Sequence, residues 1–100
     1  MLLTPKAHRF VCEAIRDLPD AGARERLRSW MHQSTTESMP PDIASLALTA
    51  LERFETWMRE CLEASRANED KEAELINDIR FVQAIESDLR KAGIRAASIH

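Results

Sequence analysis

His8 and Cys12 stand four residues apart, a spacing that on a helix turns an imidazole and a thiol to one face and can set both on a single metal ion. Two donors do not complete a coordination shell. The other soft donors, His32, Cys61 and His100, follow no ligand spacing, so no metal is expected. The HExxH, paired CxxC, calcium-loop, P-loop and dinucleotide patterns are absent, as are the two ExxH pairs of a di-iron bundle. Acid–base catalysis needs titratable groups that converge in a pocket. The seventeen Asp and Glu residues instead spread along polar helix faces, and the expectation is a non-enzyme with no cofactor.

Arg24, Arg26 and Arg28 form the other chemically suggestive set. They could face phosphates if the first two helices made a helix-turn-helix, but the turn LPDAG is not in the usual register. The net charge of -3 also opposes a nucleic-acid partner. Residues 1–33 hold six basic and four acidic side chains, whereas residues 34–100 hold eight and thirteen. Neither stretch is a strong phosphate-binding surface, and the acidic stretch makes only a weak DNA mimic. A nucleic-acid-binding regulator is therefore the alternative reading. Cys12 and Cys61 lie in apolar, helix-patterned surroundings, where cysteines act as small hydrophobes rather than as a disulfide.

The elements that must position these residues are helical throughout. Among 100 residues there are only two glycines, and apolar side chains recur at three and four with no alternating strand pattern. At 44 % apolar and 31 % charged, the chain is too apolar for disorder and too charged for a membrane. No apolar run nears the ~18 residues that cross a bilayer, and Pro5, Lys6, His8 and Arg9 come too soon after Met1-Leu2-Leu3 for a signal-peptide core. A cytoplasmic location is expected. Arginine outnumbers lysine eleven to three, a composition that suits a GC-rich bacterial or phage genome.

Four helices are expected over about 5–18, 21–33, 41–66 and 69–92, in one domain. Thr4 caps the first and Pro5 suits its first turn; Ala7, Phe10, Val11, Ala14, Ile15 and Leu18 share its apolar face, and Pro19 ends it. Asp20 caps the second, which buries Ala23, Leu27, Trp30 and Met31 and turns the three arginines outward. STTESMPP is a loop. Asn68, with Glu69, Asp70 and Glu72 behind it, opens the fourth helix, and Gly93 is read as its stop. The alternative is one continuous helix over 41–92, against which stands the lack of a sustained apolar heptad through 63–74.

The resulting architecture is all-α and four-helix bundle-like, two short N-terminal helices packed on a long C-terminal helical hairpin. In the third helix Ile43, Leu46, Ala47, Leu48, Ala50, Leu51, Phe54, Trp57, Met58, Cys61 and Leu62 span an arc of roughly 200°, about twice an ordinary stripe. Helices of ~20 Å cannot cover helices of ~37 Å, so part of that arc, among Leu46, Trp57 and Leu62, should stay open for association. Trp30 and Trp57 are the strongest hot-spot types. On the fourth helix Asp78 interrupts the apolar arc of Leu75, Ile79, Val82, Ile85 and Leu89, where it should meet an arginine, a helix N-terminus or water. Ile76 and Phe81 lie off that arc or at its margin as further contacts. The function expected is a small protein–protein interaction module that self-associates as a homodimer or binds another protein as an adaptor, regulator or inhibitor. Phage or mobile-element proteins directed at a host system are one such class.

Overall fold

The computed structural model describes the backbone of residues 4–33 and 39–98 and the side chains of that set up to Lys91. Its elements are α1 (Pro5–Ala14), a single 3-10 turn (Ile15–Asp17), α2 (Ala21–Gln33), α3 (Pro41–Ala64) and α4 (Glu69–Ser98). The all-helical class and the long hairpin agree with the sequence pattern. No helix among the described residues is long and apolar enough to cross a membrane.

Local chemistry sets the boundaries. Thr4 Oγ1 accepts from Ala7 N–H at 3.2 Å, Asp20 Oδ2 from Ala23 N–H at 3.0 Å, and Asn68 Oδ1 from Lys71 N–H at 3.2 Å. Each satisfies one of the backbone donors that a helix start leaves unpaired. Leu18 is extended at φ -74, ψ 128, as the ring of Pro19 requires of the residue before it. Arg24 Nη1 then clamps the corner by donating to Leu18 O at 2.7 Å. Between α3 and α4 the Ser65 N–H turns back to Leu62 O at 3.1 Å and the Asn68 N–H to Ser65 O at 2.9 Å. Two separate helices result, rather than one over 41–92.

Three expectations need correction. α4 continues through Gly93 to Ser98; a helical glycine costs only about 1 kcal/mol against alanine, and the following Ile-Arg-Ala-Ala carries the helix on. α1 proper ends at Ala14, its last turn tightening to 3-10 geometry ahead of Pro19. Cys12 is exposed rather than a buried hydrophobe, and Cys12 and Cys61 are both free thiols.

The core lies where α1 and α2 meet the hairpin. Phe10, Val11, Ile15 and Leu18 of the first segment, Leu27 and Met31 of α2, Ile43, Leu51, Phe54 and Met58 of α3, and Ile79, Val82, Ile85 and Leu89 of α4 are all buried in one cluster. Each large side chain hidden this way stabilises the fold by about 1.5–3 kcal/mol. α1 reaches both α3 and α4, whereas α2 packs on α3, on α1 and on the 3-10 turn. With ten residues, α1 spans about 15 Å, so it leaves the first turns of α4 and the facing part of α3 beyond its reach.

Candidate protein-docking site

Where α1 runs out, a groove of about 530 Å³ opens between it and the hairpin. Its floor is Phe10, Phe54, Met58 and Leu75, and Trp57 stands on its edge. Trp57 is 46 % exposed and is the only large hydrophobic side chain among the described residues that is exposed. It faces outward because it sits on the border of the α3 apolar arc, past the end of α1.

The indole is nonetheless held. Phe54, three residues earlier on α3, meets it edge-on with ring centroids 5.7 Å apart, and the Arg16 guanidinium lies 5.7 Å from its centroid. Phe54 in turn packs at 6.3 Å and 82° on Phe10, which touches Phe81 of α4 at 5.2 Å. Such pairs contribute about 0.5–1.5 kcal/mol beyond the area they bury. These contacts limit the rotation of the half-exposed indole.

Charge surrounds the groove on two sides. α1 and its 3-10 turn supply Arg9, Glu13 and Arg16, and α4 supplies Lys71, Glu74 and Asp78. One rim carries two cations and one anion, the other two anions and one cation. On the far side of Trp57 a second depression is lined by Asp17, Arg53, Thr56 and Glu60. There Asp17 Oδ2 is buried without a hydrogen-bond partner.

Of the six contact residues read from the sequence, Trp57 and Asp78 meet at this groove. Asp78 is half-buried on its wall, and no ion pair within 4 Å holds it among the described residues. Leu46 and Leu62 are half-buried and packed against the core, so the open part of the α3 arc contracts to Trp57. Phe81 is also packed there, with Lys6 Nζ 4.3 Å above its ring. Ile76 is half-buried and lies outside the groove. Trp30 packs on the core as well.

The other chemical candidates have partners within the chain, those of Arg26 and Arg28 at the surface. Arg26 pairs with Asp42, Arg28 with Glu25 at 3.2 Å, and Arg24 with the Leu18 carbonyl. His8 Nε2 lies 3.1 Å from Met31 O. A carbonyl only accepts, so Nε2 carries the proton and Nδ1 is left to accept from the Cys12 thiol at 3.6 Å. That thiol is pushed above its ordinary value by partial desolvation and by the charge of Glu13, the opposite of what a nucleophile needs. Among the described residues no three His, Cys, Asp or Glu side chains are disposed to hold a metal.

Sequence reasoning missed Glu86. It is 3 % exposed and lies on the α3–α4 contact beside Glu55, along a shallow groove of about 510 Å³ lined by Glu52, Glu55, Thr56, Gln83, Glu86 and Arg90. Burial, then hydrogen bonding to and repulsion from Glu55, raises Glu86 to about 7. Burial works against ionisation of Glu55 too, but hydrogen bonds from Glu86 and Arg59 and the Arg59 charge outweigh it and hold Glu55 below its ordinary value. The signal was present in the sequence: Glu86 falls four residues after Val82 and three before Leu89, a seam position where a hydrophobe is expected. Comparison of the chain with protein-family models, with curated proteins and with solved structures finds no match.

Proposed function

We propose that this chain is a non-catalytic protein-binding module, that the Trp57 groove is its docking face, and that a second copy of the chain is the occupant. The exposed Trp57 carries the reading, because tryptophan concentrates binding energy at interface centres and the described surface offers no other large hydrophobe. The choice of occupant rests on the rims. A two-fold interface must be self-complementary, and a two-fold axis running along this groove would set the cation-rich α1 rim of each copy against the anion-rich α4 rim of the other. A dimer of this kind could serve an adaptor, regulator or inhibitor. The nucleic-acid alternative draws no comparable support, since Arg24, Arg26 and Arg28 already donate within the chain.

Sedimentation equilibrium across a concentration series tests it. Wild-type protein is expected to dimerise, and Trp57→Ala to weaken the dimer by about 30-fold or more, the effect of a hot-spot residue. Arg16→Glu should weaken it as well, and Asp78→Arg added to Arg16→Glu should recover part of the loss. A constant monomer mass up to millimolar protein would exclude the second copy as occupant. Dimerisation unaffected by Trp57→Ala would move the interface elsewhere.

A further inference from the structure

One flank of the helical hairpin gathers three carboxyl groups and two guanidinium groups. α3 contributes Glu52, Glu55 and Arg59, and α4 contributes Glu86 and Arg90; Thr56 and Gln83 complete the groove, and neither α1 nor α2 lines it. The cations are already committed. Arg59 binds Glu55, with Nε at 2.8 Å and Nη2 at 2.7 Å from the same oxygen, and Arg90 Nη2 lies 3.7 Å from Glu52. The third carboxyl group, Glu86, is the most buried and makes no ion pair within 4 Å among the described residues, although the nearby Arg90 charge works against the repulsion from Glu55 and Glu52. Glu86 Oε2 has no hydrogen-bond partner.

We propose that Glu55 and Glu86 hold a single proton between them across the α3–α4 contact, and that its release makes the helical hairpin a pH-sensitive element that loosens as the solution turns from acid to neutral and alkaline. With the proton in place, the Glu86 carboxyl group donates to the Glu55 carboxylate and the buried pair carries one charge, which Arg59 balances. When the proton leaves to solvent, two carboxylates face each other with only Arg59 bound to the pair. Two anions that close in a poorly solvated contact repel strongly. Relief comes from parting the helices or admitting water, and both weaken the packing of the adjoining Val82 and Leu89. Glu86 accordingly keeps its proton to about pH 7, so the release falls in the physiological range.

Thermal unfolding of the full chain, followed by far-ultraviolet circular dichroism from pH 5 to 8, reads the device. Wild-type Tm is expected to fall by on the order of 10 °C over that range. Glu86→Gln, which keeps the shape and cannot ionise, should remove most of the fall. A wild-type Tm that does not drop, or a Glu86→Gln profile with the wild-type slope, would overturn the proposal. Because the variant could fail to fold, carbon-detected NMR titration of the Glu86 carboxyl group in wild-type protein provides an independent reading. A midpoint near 7 supports the shared proton, and one near 4.5 refutes it.

Discussion

Single residues decide how this protein responds to solution conditions. In an unfolded chain Glu86 gives up its proton near the ordinary value of 4.5, whereas in the folded chain it retains it to about 7. Between those values the folded state binds more protons, so stability must fall with rising pH. The stabilisation from the protonated Glu86 is fully present below the ordinary value of 4.5 and is lost as the pH rises through about 7. Glu55, held below its ordinary value, acts in the opposite sense: its contribution is present above the ordinary carboxylate range and disappears as the solution is acidified. Wild-type stability should therefore peak on the acid side of neutrality and decline in both directions, as urea unfolding at a series of pH values would show. Cys12 gives a second expectation at this scale. Its raised value leaves less thiolate at pH 8, so its reaction with a disulfide reagent should be slower than that of a free cysteine despite its exposure; a rate equal to or above that of the free amino acid would contradict the assignment.

At the scale of elements, the caps carry the predictions. Asp20→Ala and Asn68→Ala each remove a side-chain acceptor from a helix start and should each cost about 1 kcal/mol in urea unfolding. Helix starts, the apolar faces of α1 and α3 and the presence of a break before Asn68 were legible in the sequence because they depend on neighbours within one turn, although α3 ends at Ala64 rather than near residue 66. Gly93 was misread because a glycine stops a helix only when the chain beyond it has reason to leave, and Ala96 and Ala97 supply none. Asp78 and Glu86 show the limit more sharply. Both interrupt the same apolar arc of α4, so periodicity alone treats them alike. Only the placement of the neighbouring helices decides that Glu86 is buried against α3 while Asp78 is half-buried on the wall of the Trp57 groove, and that information is tertiary.

Across the whole molecule, the wide arc on α3 was sound as a pattern, yet it overstated the open surface, because Leu46 and Leu62 find cover on the core that summed helix lengths did not reveal. The cluster at the α1–α3–α4 junction holds the fold together, and Leu51→Ala within it, at a residue with 0 % exposure, should destabilise the protein by about 2–5 kcal/mol. Denaturant unfolding would register that as a lower midpoint with an unchanged slope. Phe10 bridges the aromatic rings of the two long helices, so Phe81, Phe10, Phe54 and Trp57 form a relay from one side of the fold to the other. The outermost ring of that relay is a fluorophore at the surface. With Trp30→Phe leaving Trp57 as the sole indole, loosening of α1 should be visible as a change in how readily acrylamide quenches the emission, which makes that ring an optical gauge of whether the N-terminal helix is seated.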